Sequence, residues 1–319
     1  MSNKKIISII VIIAVLIISI FGYFISNNIK DTNNSEYYDN IGIDESLLNI
    51  LYLDVGQGDS TLIRMNGQTM LIDAGNPSDG YYIAELLKSQ GISKIDYLIG
   101  THIDDDHIGG MYKIVEEIEV ENLYMPYSTI NKPSYTALKD SLTKNKNKDL
   151  KISEFDNLNE KYTLGNATWQ VLHVDNSDPQ DEAKLNDTSI VIKLEYGIKS
   201  YLFMGNASSK IENNLNPEQI NVLKVAHHGS NQSTSQEFLD KIKPQYAIIS
   251  VGENPYKHPD DRVLDRLKNI QVYRTDQDHT IWLTSNGQDI NIKQLDYSLD
   301  GANRKISLES IFRYAFLNT

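Results

Sequence analysis

The chain has 319 residues, of which 30 are Lys or Arg and 43 are Asp or Glu, so its formal net charge is −13 with histidine neutral. This acidic balance argues against broad electrostatic binding to nucleic acid or to anionic lipid, because both require a basic protein surface. The absence of cysteine excludes disulfide scaffolds, Cys-ligated zinc, iron–sulfur clusters and thiol nucleophiles. Any metal ion must therefore be held by His and carboxylate side chains.

The first feature along the chain is an uncharged, apolar segment at residues 6–25, which has about the 20 residues that a membrane-spanning helix needs. Lys4 and Lys5 precede it, so the positive-inside rule predicts a cytoplasmic stub at residues 1–5 and export of everything beyond residue 25. A cleaved signal peptide is the alternative, but the segment exceeds a typical signal-peptide core and no small-residue cleavage site follows it. We therefore expect a single-pass cell-membrane protein with its main domain outside the cytoplasm, secreted if the segment is cleaved.

A polar segment rich in Asn, Asp and Ser at residues 26–48 is expected to link this anchor to a compact domain. The domain is predicted to occupy residues 49–295. Apolar residues at rough helical spacing in residues 296–319 indicate a tail that ends in a closing helix.

Short β-type runs dominate the domain, and helical patterns are interleaved between them. The first runs lie at residues 50–55, 60–65 and 69–73, and the Asn66-Gly67 pair between the last two predicts a β-hairpin. Further strands are predicted at residues 94–100, 168–173, 189–196, 200–204, 222–226, 246–251, 272–274 and 281–284, and helices at residues 81–90, 108–120, 235–242 and 259–267. This order predicts a mixed α/β (α+β) domain in which sheets are layered with helices outside.

Five of the seven histidines fall in three short segments, each directly after a predicted strand. The segments are THIDDDHIGG at residues 101–110, AHHGS at residues 226–230 and YKHP at residues 256–259. A strand fixes the direction of a ligand and the following loop lets several ligands converge, so this placement is typical of a metal site on the rim of a sheet.

The first segment offers four candidate ligands within six residues, namely His102, Asp104, Asp106 and His107. Alternate residues of an extended chain point the same way, so the first three are expected to share one side and a turn to bring in the fourth. Four ligands exceed what one open catalytic ion takes from a short loop, and they predict two divalent ions that clamp a hydrolysed ester or phosphodiester. An exposed acidic turn with incidental histidines is the alternative. Gly109 and Gly110 are expected to start a helix without placing a side chain over the metals.

At these residues the chain resembles the metallo-β-lactamase fold superfamily and, more narrowly, the hydrolase domain of ComEC-type competence proteins and its stand-alone relatives. The matching segments occur in the family's order. They are LDVGQGDSTLI at residues 53–63, LIDAG at 71–75, THIDDDHIGG at 101–110, NDTSIVIKL at 186–194, YLFMGNA at 201–207, LKVAHHGS at 223–230, ISVGENPYKHP at 249–259 and YRTDQDHTI at 273–281.

The resemblance implies an αββα sandwich with the site at one edge of its two sheets. It implies two divalent metal ions, or one only, held by His102, Asp104, Asp106, His107, Asn206 and His228. His102 and Asp104 would hold the first ion, and His228 would complete the second. An aspartate at position 104, where many relatives carry His, widens the expected metal from zinc alone to manganese or zinc.

The resemblance also implies catalytic roles. Asp106 would act at the metals, and His227 and His258 would flank them and contact the substrate or protonate a leaving group. Asp73 would be a buried carboxylate that supports the ligand loop from behind.

Three residues depart from the family pattern. Asn206 stands where the family has an aspartate that bridges both ions, and a neutral amide cannot neutralise two cations. Lys257 stands where the family prefers Gly before His-Pro, and there it either contacts a phosphate or fits poorly. His279 replaces a usual Gly in the last motif.

These observations support three hypotheses. The favoured one is a membrane-anchored, metal-dependent hydrolase that attacks a phosphodiester or ester of a small molecule or cell-surface polymer through a metal-bound hydroxide. The second is a catalytically weakened or silent surface binding module, because of Asn206. The third is a nuclease related to DNA uptake, which the net charge disfavours.

Loops at residues 126–157 and 175–187 are expected to set specificity, and the lysines of residues 132–151 form either a solvated surface or a basic lip over a substrate's phosphates.

Overall fold

The structure is a computed structural model and describes residues 41–145, 149–158 and 160–299. Within these ranges no helix is both long enough and apolar enough to cross a bilayer. The predicted stub, the anchor at residues 6–25, most of the linker and residues 300–319 of the predicted tail lie outside the described residues. Leu299, just before that limit, is buried and its backbone N–H donates to the Asp54 carbonyl at 2.6 Å.

Fifteen strands are present in the described residues. They are β1 (Leu48–Tyr52), β2 (Thr61–Met65), β3 (Gln68–Ile72), β4 (Lys94–Ile99), β5 (Glu119–Tyr124), β6 (Ile152–Ser153), β7 (Tyr162–Leu164), β8 (Ala167–His173), β9 (Val191–Tyr196), β10 (Lys199–Phe203), β11 (Val222–Lys224), β12 (Tyr246–Ile249), β13 (Gln271–Arg274), β14 (Thr280–Ser285) and β15 (Ile290–Leu295). Strand β1 begins one residue inside the predicted linker, at Leu48.

The same residues form eight α-helices and two 3₁₀ helices. The α-helices are α1 (Gly80–Ser89), α2 (Asp105–Ile108), α3 (Met111–Glu117), α4 (Pro133–Lys144), α5 (Ser209–Asn214), α6 (Gln236–Ile242), α7 (Asp261–Arg266) and α8 (Thr275–Asp278). The 3₁₀ helices are Glu182–Thr188 and Ala226–Gly229.

The strands form two sheets. One has eight strands in the order β15-β14-β1-β2-β3-β4-β5-β6, and the other has seven in the order β13-β12-β11-β10-β9-β8-β7. Pairing is parallel from β3 to β6 in the first sheet and from β10 to β13 in the second, and antiparallel elsewhere. Each sheet thus has a parallel half, and the carboxyl ends of its strands meet at one edge.

The two sheets pack face to face over one large apolar core. Ile50 and Tyr52 of β1 belong to this core together with Trp169 and Phe203 of the other sheet. A second core covers the outer face of the seven-stranded sheet, where Leu202 and Leu223 pack against residues of α5, α6 and α7. Helix α3 contacts α1, α4 and β5 of the eight-stranded sheet. This arrangement agrees with the expected four-layer sandwich of mixed α/β class.

The hairpin predicted from Asn66-Gly67 is confirmed, and both residues have positive φ, 49° and 77°. The helix predicted at residues 108–120 is wrong at its end. It stops at Glu117, and residues 119–124 form β5, which pairs in parallel with β4. The glutamates favour a helix, but burial of Val120 and Leu123 and pairing with β4 override that local preference.

Gly110 has a packing role rather than the predicted role of leaving space over metals. A Cβ built at Gly110 would lie 2.3 Å from the Ala74 carbonyl oxygen and 2.6 Å from the Gly80 Cα. Helix α3 therefore begins against the start of α1 at a distance that only glycine allows.

Gly110→Ala is expected to destabilise the domain by about 1–3 kcal/mol, because the added methyl group overpacks this contact. Urea unfolding of the variant measures the loss. Lys113→Ala on α3, which removes an ion pair to the partly exposed Glu117, is the control and should change stability by less than about 0.5 kcal/mol. An unchanged midpoint for Gly110→Ala would contradict the packing role.

Candidate metal centre

The predicted site residues converge at the edge where the parallel strands end. Asp73 follows β3, the segment from Thr101 follows β4, and Asn206 follows β10. His228 follows β11 in the short 3₁₀ helix Ala226–Gly229. The prediction that the His segments directly follow strands is therefore confirmed for residues 101–110 and 226–230, whereas the segment at residues 256–259 begins seven residues after β12 ends.

His107 is fixed from behind by a buried carboxylate. Its Nδ1 donates to Asp73 Oδ2 at 2.8 Å, and the Thr101 backbone N–H and hydroxyl donate to the two Asp73 oxygens, both at 2.8 Å. Burial favours the neutral ring, but the charge and hydrogen bond of Asp73, together with the charges of Asp106 and Asp59, outweigh it and raise the pKa of His107 to about 9. The other nitrogen, Nε2, is buried without a hydrogen-bond partner. A cation bound there would displace a proton.

His228 has the same arrangement. Its Nδ1 donates to the Ser250 carbonyl at 2.9 Å, and its buried Nε2 lies 3.3 Å from Asp106 Oδ2. Asp106 is largely buried, yet its close contact with His228 and the nearby His107 hold its pKa well below the usual range. Ligand atoms of Asp106, His107 and His228 all lie within 4.8 Å of one another.

His102 forms a neighbouring group with Asp104 and Asn206. Its Nδ1 lies 3.1 Å from the Thr101 hydroxyl, and its Nε2 lies 3.4 Å from Asp104 Oδ2 and 3.2 Å from Asn206 Nδ2. Burial and the charge of His107 lower the pKa of His102. Burial opposes ionisation of Asp104, but its contact with His102 lowers the pKa of Asp104 to about 2. The His102 and His107 rings are 4.1 Å apart, so the two groups adjoin.

These groups fit divalent cations. In all three histidines Nδ1 meets an oxygen behind the site, and Nε2 is left for a ligand, the pattern typical of metal-bound imidazole. Two Nε2 atoms and the Asn206 carbonyl oxygen are buried and unpartnered, which is costly unless something binds them. Rotating the Asn206 amide by half a turn would bring that oxygen towards His102.

The backbone conformation that places Asp106 at the site differs from the predicted one. Residues 104–106 were expected to be extended, but helix α2 begins at Asp105, and only Asp104 has extended backbone angles. Asp104 and Asp106 therefore face different partners, His102 and His228, instead of sharing one side.

Backbone conformation shows why glycine would suit the positions of Lys257 and His279. Lys257 and His279, which stand where the family prefers glycine, have φ of 61° and 54°. Glycine reaches this region without steric cost. Asp73, His227 and His228 also have positive φ, so strain of this kind recurs around the site.

Four residues of the two groups, Asp104, Asp106, Asn206 and His228, line a cleft of about 690 Å³. His227 and His258 line it with their rings 5.5 Å apart. Burial, together with the neighbouring His228, lowers the pKa of His227 to about 3 and also lowers the pKa of His258. Both rings are neutral at pH 7 and offer an N–H donor to a bound molecule.

Two loops meet beside this cleft. The Lys132 ammonium lies 3.2 Å from Asp104 Oδ1 and 3.0 Å from Glu182 Oε2. The Thr129 backbone N–H donates to Asp178 Oδ1 at 3.2 Å. The Lys132–Glu182 and Thr129–Asp178 contacts thus connect the two loops expected to set specificity, at residues 126–157 and 175–187.

A buried ion pair beneath the site was missed by the sequence interpretation. Lys224 Nζ lies 2.8 and 2.9 Å from the two oxygens of Asp59, and both side chains are at most 6% exposed. Asp59, Asp73 and His107 also lie close enough to share an ion, but Lys224 already neutralises Asp59. A lone lysine inside the apolar run VLKVA was the available signal, because buried lysine is rare unless paired.

Asp73→Asn is expected to weaken binding of zinc or manganese about 10–100-fold, the usual effect of losing a partner that orients a metal-binding histidine. Isothermal titration calorimetry on the full chain measures the affinity. The control is Asp96→Asn, which alters a buried carboxylate that accepts from the Thr69 N–H at 2.7 Å. Equal affinities for wild type and Asp73→Asn would show that His107 does not depend on Asp73.

Comparison with known proteins adds family relationships. A family model described as the metallo-beta-lactamase superfamily matches residues 53–253. The chain is 32% identical over 254 residues to ComE operon protein 3 of Bacillus subtilis (strain 168), covering 72% of this chain and 32% of that protein. It is 34% identical over 226 residues to Recombination protein 2 of Haemophilus influenzae, covering 67% and 26% respectively.

A likeness to solved structures accompanies these matches. The metallo-beta-lactamase fold protein YhfI from Bacillus subtilis aligns with a TM-score of 0.45 and 14% identity, over 72% of this chain and 97% of that one. The chain spans about a third or less of the length of the curated relatives that it matches.

Proposed function

This chain belongs to the metallo-β-lactamase superfamily, as its motifs predict, and on that premise we propose that it is a metal-dependent hydrolase of phosphodiesters or esters. The observation that carries the proposal is the set of unpartnered Nε2 atoms of His107 and His228 close to Asp106, which with His228 lines a cleft. Buried polar atoms without partners are rare in a folded protein, and here they point to a common centre.

In this proposal Asp106, His107 and His228 would hold one divalent ion, zinc or manganese, and His102, Asp104 and Asn206 would hold a second. Bound ions of this kind supply Lewis acidity and make water a nucleophile at neutral pH. The protein's own residues position the reaction. Asp73 and the Ser250 carbonyl hold the imidazoles in one tautomer, and His227 and His258 donate hydrogen bonds to the substrate.

The proposal is tested on the full chain by metal analysis and by turnover of bis-p-nitrophenyl phosphate with zinc or manganese. We expect the wild type to bind metal stoichiometrically and to turn over the substrate. The His228→Ala variant should lose this turnover. Absence of both bound metal and turnover in the wild type would refute a metal-dependent hydrolase.

The proposed location is the outer face of a cell membrane, with residues 6–25 as a single-pass anchor. The support is the length and lack of charge of that segment and the two lysines before it. Protease added to intact cells should digest the domain, and alkaline carbonate should leave the chain in the membrane. Release into the medium would indicate cleavage instead.

A nuclease is the second candidate, because the curated relatives carry the names of competence and recombination proteins. The net charge of −13 opposes it. Cleavage of single- or double-stranded DNA at low salt, lost in His228→Ala, would favour the nuclease.

Asn206→Asp tests whether the amide weakens the site. A carboxylate adds a negative charge beside both metal groups, so we expect metal affinity to rise roughly tenfold or more, with a parallel rise in turnover. Asn76→Asp is the control, since Asn76 lines the same cleft but donates to the Gln57 carbonyl at 2.9 Å.

The result also separates the hydrolase from a silent binding module. Activity in the wild type that Asn206→Asp increases supports a weakened hydrolase. Activity that appears only in Asn206→Asp supports the silent module, and no change in metal affinity would place the Asn206 side chain away from the ions.

A further inference from the structure

The cleft above the candidate metal centre carries an uneven set of charges. Among the described residues that line it, Lys132 is the only lysine or arginine. Four carboxylates face it, those of Asp104, Asp105, Asp106 and Glu253. The lining therefore has three net negative charges, and two divalent ions would change this to one net positive charge. A cleft with that balance attracts a substrate with a single negative charge.

Lys132 stands beside the metal groups rather than at the outer rim. One oxygen of Asp104 faces His102 Nε2 at 3.4 Å, and the other faces Lys132 Nζ at 3.2 Å. The ammonium thus contacts one candidate metal ligand, Asp104, directly. Glu182 holds it from the other loop at 3.0 Å, and the Lys132 side chain is only 19% exposed.

The other described lysines of the basic stretch do not share this position. Lys139, on helix α4 that begins just after Lys132, has its ammonium over the Tyr135 ring at 4.1 Å. Lys144 and Lys151 line two other surface depressions. Among the described lysines of the predicted basic lip, only Lys132 lines the cleft, where Asp104 and Glu182 hold it.

We propose that Lys132 binds a non-bridging oxygen of an anionic phosphodiester and so sets a preference for phosphodiesters over neutral carboxylic esters. This inference rests on the proposed hydrolase function, whose substrate class it narrows. A lysine ammonium is a compact charge that suits a phosphate oxygen, whereas a neutral ester offers no charge for it to pair with. The contact with Asp104 places such an oxygen next to the metal groups.

Binding of inorganic phosphate to the full, metal-loaded chain tests the proposal without turnover. Because a hydrogen bond to a charged group accounts for about ten- to a hundredfold in affinity, Lys132→Gln should weaken phosphate binding by that factor. Lys132→Arg should retain most of it, and Lys139→Gln should match the wild type. Equal phosphate affinity in wild type and Lys132→Gln would overturn the proposal.

Turnover gives a second readout. Lys132→Gln should lower kcat/KM for bis-p-nitrophenyl phosphate about tenfold or more. For p-nitrophenyl acetate, its kcat/KM should stay within about twofold of the wild-type value. Metal affinity, measured in parallel, should stay unchanged. Equal losses on both substrates, or weaker metal binding, would mean that Lys132 acts through Asp104 and would overturn the proposal. If the wild type hydrolyses neither substrate, the proposed function fails, and phosphate binding still decides the role of Lys132.

Discussion

Lys224→Met is expected to destabilise the domain by about 3–5 kcal/mol, the usual effect of removing one member of a buried ion pair. The Asp59 carboxylate would lose both its contacts with the Lys224 ammonium, at 2.8 and 2.9 Å. At 4% exposure it has almost no access to water in compensation. Urea or guanidinium unfolding of the full chain measures the loss.

Two further variants define what this loss means. Asp59→Asn combined with Lys224→Met removes both charges, so the double variant should recover much of the stability that Lys224→Met loses. Lys268→Met removes an exposed ion pair to Asp265 and should cost no more than about 1 kcal/mol. If Lys224→Met behaved like Lys268→Met, the buried pair would have no structural importance.

Added zinc or manganese is expected to stabilise the wild type by about 2.7 kcal/mol at a free ion concentration one hundred times its Kd. His107→Ala should lose this increment, because it removes the unpartnered Nε2 that faces Asp106 and His228. Thermal unfolding with and without metal measures the increment within each variant. Because each variant is compared with itself, a change in its metal-free stability caused by uncovering Asp73 does not affect the measured increment.

His279→Ala is the matched control. Its ring is 48% exposed and contacts Asp54 at 3.4 Å, and it is not among the residues that line the cleft. It should keep the full increment. A full increment in His107→Ala would show that the stabilising ion binds elsewhere.

Much of the site could be predicted from local patterns. His102, His107 and His228 lie in segments that follow β4 and β11, which belong to the parallel halves of the two sheets. The family resemblance also placed Asp73, which contacts His107 as expected. Such features depend on short stretches of sequence and on the general geometry of parallel sheets.

Long-range contacts could not be predicted in the same way. Asp59 and Lys224 are 165 residues apart, and the Lys132 ammonium meets Glu182 from another loop. No local pattern links such residues. The strand β5 was missed for a related reason, because its pairing with β4 decides its conformation against the preference of its glutamates.

The positive φ angles of Asp73, His227, His228, Lys257 and His279 also affect how the chain tolerates change. Strained backbone of this kind costs of order 1–3 kcal/mol per residue, whereas a folded domain is stable by only about 5–15 kcal/mol. The two apolar cores must offset that strain, which leaves a small margin against further loss. We therefore expect destabilising substitutions far from the cleft to lower the amount of folded protein in the cell. A relative with less backbone strain would tolerate the same substitutions.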